Sequence, residues 1–111
     1  MSYSTKSKEE LITLRQKIPL ANGFIPIILR AGTKDTPILN KELFICSFEK
    51  NSIIILQHLR NKIKIDPGQG LYLFIGNLII SPNHRISDLY NKYNNNGFLI
   101  IDYTLENCFG E

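Results

Sequence analysis

Only two cysteines occur in the 111 residues, Cys46 inside an apolar segment and Cys108 near the end, and they share no repeated spacing. That excludes a disulfide framework and a cysteine-rich metal site, and leaves both as reduced thiols. Long hydrophobic runs are missing too. Apolar stretches such as Leu71 to Ile75 fall far short of the roughly 18 residues that a membrane-spanning helix needs. The first 20 residues are too polar for a signal peptide, so a cytosolic or nuclear setting is expected. Charge of one sign is also scarce. Thirteen Lys and Arg against ten Asp and Glu leave +3, which favours anionic surfaces without implying nucleic acid. What the chain does have is ordinary core material. Hydrophobic residues make up 43% and charged residues 21%, the balance of one domain that folds alone rather than of a disordered chain.

Ser7 and Glu10 have the spacing of a capping box, and Leu11, Leu14 and Ile18 recur at helical intervals until Pro19. This predicts a short helix from about Lys8 to Lys17. Phe24 to Arg30 is β-branched and apolar, a strand in which Pro26 suits an edge, a start or a bulge. Leu43 to Phe48 reads as a second strand, close enough to pair with the first as an antiparallel hairpin. Asn51 and Ser52 both suit a helix cap, and Ile55 or Leu56, Leu59 and Ile63 line one face of the main amphipathic helix. Strands at Leu71–Ile75 and Leu78–Ile80 flank a tight turn at Gly76-Asn77. Ile86, Leu89, Tyr90 and Tyr93 mark a last small helix, with Gly97 as its left-handed cap. Phe98 to Tyr103 forms the final strand, and Thr104 to Glu111 trails beyond it.

The order is a helix and then β-β-α-β-β-α-β. A long helix separates the first hairpin from the later strands, and the final strand is apolar except for Asp102, which places it centrally beside the first. The expected class is α+β: a ubiquitin-like β-grasp with a mixed sheet of four to five strands, preceded by one short N-terminal helix. Residues 1–7 are expected to be a flexible N-terminus, 8–103 the ubiquitin-like domain with its N-terminal helix, and 104–111 a C-terminal tail.

Local strings then carry a family resemblance. Asn96-Gly97-Phe98-Leu99-Ile100-Ile101-Asp102-Tyr103, followed by Thr104-Leu105-Glu106-Asn107-Cys108-Phe109-Gly110, resembles the last strand, tail and Phe-Gly terminus of the autophagy-related protein eight family, the GABARAP-type ubiquitin-like modifiers. Shorter strings agree in order: Leu14-Arg15-Gln16-Lys17-Ile18-Pro19, Ile25-Pro26-Ile27-Ile28, Pro37-Ile38-Leu39-Asn40-Lys41, and Leu59-Arg60-Asn61-Lys62-Ile63. Departures lie at the front. Family members carry two helices before the first strand where this chain has room for one, and Phe24 stands where the family has a basic residue.

The resemblance implies a function. A cysteine protease of autophagy would cut after Gly110, removing Glu111. An activating enzyme would then adenylate the Gly110 carboxylate and take it as a thioester, and a conjugating enzyme would pass it to phosphatidylethanolamine. Glycine suits that role because a residue without a side chain passes narrow enzyme channels, and Phe109 precedes it at the cleavage site. The chain would be the substrate of these enzymes and not an enzyme itself. It would be cytoplasmic, moving to the autophagosomal or a related organelle membrane when lipidated. A monomer is expected, with no cofactor, no metal and no nucleic acid partner.

The family also binds receptor peptides of the form aromatic-x-x-aliphatic, preceded by acidic residues, as an added strand beside the second strand. In that mode main-chain hydrogen bonds supply grip and side-chain pockets supply selectivity. By position, the aromatic pocket would be Glu10, Leu14, Pro26, Ile28, Leu43, Ile45 and Phe98, with Leu43 replacing a lysine. The aliphatic pocket would be Phe44, Cys46, Ser47, Ile55 and His58, with Lys50 at its rim. Here Ser47, Lys50 and His58 replace a proline and two leucines, and Arg60 keeps the basic position that faces the acidic end of the motif.

Three other readings remain open on the residues. One is an autophagy-related protein twelve type of modifier, whose glycine joins a protein lysine. Another is an unconjugated β-grasp module that works through its edge strand alone. A third is a nucleic-acid module using the patch of Arg60, Lys62 and Lys64, for which no stacking platform is visible. Neither His58 nor His84 sits in a cysteine-protease signature that would activate Cys108, and no paired carboxylates, phosphate loop or Ser/His/Asp grouping stands out.

Overall fold

The computed structural model describes residues 6–107. The first helix, α1 (Lys8–Lys17), opens on a complete capping box. Ser7 Oγ accepts from the Glu10 N–H at 3.2 Å while Glu10 Oε1 accepts from the Ser7 N–H at 2.9 Å, so two donors at the helix entrance are satisfied reciprocally. Ser7 therefore belongs to the helix entrance and not to a loose extension, and residues 1–5 of the expected flexible N-terminus lie outside the described residues. There follow β1 (Phe24–Ala31), β2 (Leu43–Ser47), α2 (Ile53–Lys62), β3 (Gln69–Ile75), β4 (Leu78–Ile80), α3 (Ile86–Tyr93) and β5 (Leu99–Asn107).

The strands form one five-stranded sheet in the order β2-β1-β5-β3-β4. β5 is central, parallel to β1 and antiparallel to β3, the place its run of apolar residues suits because both of its faces are covered. It also extends past Tyr103, through Thr104–Asn107, and ends with Asn107 opposite Gln69. The tail expected over 104–111 therefore overlaps the strand, since pairing with β3 holds these residues in the sheet whatever their own propensity, and Leu105 packs against the core. Cys108, Phe109, Gly110 and Glu111 lie outside the described residues.

Pro26 sits in an interior strand and not at an edge. The Leu29 N–H donates to the Glu42 carbonyl of the β2 side at 2.9 Å, and the Gly32 N–H to the Tyr103 carbonyl of β5 at 2.8 Å. Odd-numbered N–H groups of β1 thus face β2 and even-numbered ones face β5. The β5 ladder begins at the Ile27–Leu99 pair, so the donor that Pro26 lacks falls just outside it.

The sheet's two faces bury two apolar clusters. Ile27, Leu29, Leu73, Leu99, Ile101 and Tyr103 pack beneath α2 and α3, which supply Ile55, Leu59, Ile86 and Leu89. On the opposite face α1 lays Leu11 over Ile28 and Phe98, with Leu14, Ile18, Leu43 and Ile100 around them. Tyr103, fully buried, donates its hydroxyl to the Pro37 carbonyl at 2.7 Å, tying the β1–β2 connection to the central strand. Burial pushes its phenol pKa up.

The start of α2 is held differently from expectation. Ser52 is the capping residue but makes no side-chain cap bond; it is fully buried, and its hydroxyl donates to the Ser81 carbonyl. The turn after β4 supplies the acceptors that α2 needs, His84 O for the Ser52 N–H at 2.8 Å and Pro82 O for the Ile53 N–H at 3.0 Å. The orphan donors of a helix start are thus satisfied by another loop's carbonyls.

Gly97 is likewise not a helix cap. α3 ends at Asn94 in extended backbone, and Gly97 (φ +92°) follows Asn96 (φ +54°) in a turn where Asn95 and Phe98 exchange backbone bonds of 2.6 and 3.1 Å. A Cβ at Gly97 would stand 2.7 Å from Arg15 Cγ of α1. Gly97→Ala is expected to lower stability by about 1–3 kcal/mol through backbone strain and this close approach. Urea denaturation measures it, and an unchanged midpoint contradicts the reading.

Candidate functional site

β2 is one edge of the sheet, and its hydrogen bonding decides what it offers to a partner. Leu29 donates to Glu42 and Phe48 donates to Gly23, each at 2.9 Å. By alternation the backbone groups of Phe44 and Cys46 face β1, while those of Leu43 and Ile45 point outward. The Ser47 carbonyl is used locally, accepting from the Lys50 N–H at 3.2 Å. The open part of the edge is thus Leu43 to Ile45, with side chains alternating between the two faces. An edge of this kind is a ready template for another strand.

On the α1 face the structure brings together Leu14, Ile28, Leu43 and Phe98 of the expected aromatic pocket. Ile28, Phe98 and Pro26 are buried and form its floor, while Ile45 is 42% exposed at its edge. Glu10 lies one turn before Leu14 on α1, exposed, and its hydrogen bonds to Ser7 hold its carboxyl below the usual range.

On the α2 face a groove of about 430 Å³ runs along β2, lined by Leu39, Asn40, Lys41, Leu43, Phe44, Ile45, His58 and Lys62. Phe44 and His58 stack in it, ring centroids 4.2 Å apart. The expected aliphatic pocket is only partly realised here. Ile55 is fully buried and Cys46 nearly so, so they underlie the site without lining the groove. Burial pushes the Cys46 thiol up to about 11, which keeps it protonated and unreactive at neutral pH. Ser47 is half-buried at the end of β2, and Lys50 is exposed in the turn beyond.

Arg60 is exposed and does not line the groove. Residues two apart on a helix do not share a face, whereas residues four apart do, so the cation beside His58 is Lys62. Lys41, just before β2, is the second cation. Sequence reasoning missed Leu39, Asn40, Lys41 and Lys62 as lining residues, although the four-residue step from His58 to Lys62 is a signal that could have found the last. His58 is held below its ordinary value of 6.5, first by burial and then by Lys62. The ring is therefore neutral at pH 7.

Comparison with known proteins fits this architecture. The model of the family described as ubiquitin-like autophagy protein Apg12 matches residues 25–110. Autophagy-related protein 8 of Mycosarcoma maydis is 27% identical over 108 residues, covering 96% of this chain and 89% of the relative. Autophagy-related protein 8d of Arabidopsis thaliana is 26% identical over 107 residues, covering 95% and 87%. Among solved structures, Trypanosoma brucei ATG8 superposes with a TM-score of 0.76 at 20% identity, covering 97% of this chain and 96% of that one. Plasmodium falciparum Atg8, solved in complex with a Plasmodium falciparum Atg3 peptide, gives 0.71 at 22% identity, covering 90% and 91%. The five-stranded sheet with its single preceding helix among the described residues is thus the ubiquitin-like fold of these structures. By the match over residues 25–110, the chain belongs to the ubiquitin-like autophagy protein family Apg12, and along nearly all its length its similarity is to autophagy-related protein 8.

Proposed function

We propose that this chain is a ubiquitin-like modifier of autophagy that is cut after Gly110, joined through Gly110 to phosphatidylethanolamine, and recruits cargo receptors and adaptors by adding their peptides to β2. The observation that carries the recruitment half is the open edge from Leu43 to Ile45, with the Leu14–Phe98 cluster on one face and the Phe44–His58 groove on the other. The peptide's aromatic side chain takes the α1 face and its aliphatic side chain the α2 face. Lys41 and Lys62 meet the acidic residues that precede the motif. The Plasmodium relative, solved with an Atg3 peptide, is a precedent for peptide binding by this fold; in this reading the conjugating enzyme docks at the β2 edge, while the protease and the activating enzyme act on the tail. Nuclear magnetic resonance titration with an acidic aromatic-x-x-aliphatic peptide tests the edge. The amides of Leu43 and Ile45 shift first; shifts confined to β4 or α3 would contradict it.

Attachment to lipid supplies what the fold lacks. Among the described residues no helix is long and apolar enough to cross a membrane. Two acyl chains contribute roughly 0.8 kcal/mol per buried methylene, enough for stable anchoring. One observation favours a second reading: the matched family is the Apg12 type, for which Gly110 would join a protein lysine.

His58 makes binding depend on pH. Since its folded pKa lies below 6.5, the neutral ring that suits an aliphatic side chain is present at pH 7 and is lost as the pH falls below about 6.5. Stability declines in the same direction, because the unfolded chain takes up this proton first. Peptide affinity is therefore expected to stay level from about pH 7.5 to about pH 6.5 and to fall as the pH drops further. Calorimetry on wild type and His58→Leu reads it, and a flat profile for wild type removes His58 from the site.

A further inference from the structure

A second cavity, about 250 Å³, opens where β2 ends, between Phe24, Phe48 and the α3 residues Ser87, Tyr90 and Asn91. Its two phenylalanines are exposed, Phe24 by 45% and Phe48 by 41%, an unusual expenditure of aromatic surface on a small domain. The cavity is also built rather than incidental. Gly23 (φ +84°) lets the Phe48 ring lie against the backbone, since a Cβ there would stand 2.9 Å from Phe48 Cε1. The Phe48 N–H donates to Gly23 O at 2.9 Å and its carbonyl accepts from the Ser87 N–H at 3.1 Å, while Tyr90 is anchored through its hydroxyl to Gly97 O at 3.2 Å.

Charge separates this cavity from the groove. Its lining is uncharged, whereas the groove carries Lys41 and Lys62 near the start of β2. Acidic residues ahead of the motif are drawn to that cationic end, so a peptide on the edge runs parallel to β2 and leaves it at Ser47. The next residue of β2's own chain is Phe48. We infer that the Phe24–Phe48 cavity is an accessory subsite that takes an aromatic or aliphatic side chain of the same partner, a few residues after the aliphatic position of its motif. This rests on the edge-binding reading above and adds to it the chemistry of the downstream segment: uncharged, with an apolar anchor, able to hydrogen-bond Ser87 or Asn91.

The test uses the full chain and synthetic peptides. A core peptide of two acidic residues, an aromatic, two serines and a leucine is compared with versions extended by Gly-Ser spacers of increasing length that end in Phe or in Asp. For at least one spacer the Phe-ended peptide is expected to bind roughly five- to tenfold more tightly than its Asp-ended partner, the increment of one partly buried aromatic side chain. Phe24→Ser and Asn91→Arg each abolish that increment while leaving core-peptide affinity unchanged. Equal affinities at every spacer length, with the core peptide still bound, overturn the subsite and leave the groove standing. Failure of the core peptide itself overturns the edge reading beneath both. Sedimentation showing a dimer that Phe24→Ser dissolves would overturn the inference in favour of a second copy of the chain.

Discussion

Leu43→Asp or Ile45→Asp is expected to weaken binding of aromatic-x-x-aliphatic peptides by ~1 to 3 kcal/mol, a loss of several-fold to more than a hundredfold in affinity. Both residues are on the open stretch of β2, so the new carboxylate is desolvated against the incoming strand without a partner. The two should not be equal. Leu43 packs on the Leu11–Ile28–Phe98 cluster, and its replacement also costs stability, whereas Ile45 is 42% exposed and its replacement leaves the fold close to wild type. Ile45→Asp is therefore the cleaner probe. Calorimetry on the folded variants decides the matter, and unchanged affinity in both would place the peptide elsewhere.

A larger effect is expected at the tail. Gly110→Ala should abolish membrane attachment, while deletion of Glu111 should preserve it and make it independent of the protease. The reason is chemical: a carboxylate can be adenylated only after whatever follows it is cut away, and a thioester can be passed on only if the residue carrying it fits the enzymes' channels. A methyl group at Gly110 interferes with the second requirement, and removal of Glu111 satisfies the first in advance. Fractionation of cells expressing each variant reads both outcomes, and attachment that survives Gly110→Ala would contradict this chemistry.

Much of the architecture was legible because each element carries its own period. The step Leu11, Leu14, Ile18 and the Ser7–Glu10 box gave α1 its bounds, and the unbroken apolar run at the start of β5 identified the central strand. What stayed hidden is tertiary. Thr104 to Asn107 has no strand signature of its own and is extended because β3 pairs with it. Ser52 looks like a cap by composition, yet it spends its hydroxyl on Ser81 because the turn after β4 already supplies acceptors to the helix. Gly97 has the left-handed conformation expected of it but uses it in a separate turn against Arg15.

The candidate site divides in the same way. Residues on β2 itself were readable from the alternation of one strand, and the structure gathers Leu14, Ile28, Leu43 and Phe98 as expected. The α2 face was read less well. A resemblance by position put Arg60 there, whereas the helical step from His58 puts Lys62 in the groove. The Phe44–His58 stack and the Phe24–Phe48 cavity join segments far apart in the chain, and no local pattern announces them.

The most direct test of the central claim is the mass of the C-terminal peptide of the cellular protein, measured in soluble and membrane fractions under starvation. The account predicts a chain ending at Gly110 in the membrane fraction, carrying phosphatidylethanolamine on its carboxylate. Glu111 still attached in every fraction would contradict it, and a Gly110-to-lysine branch would replace the lipid with a protein target.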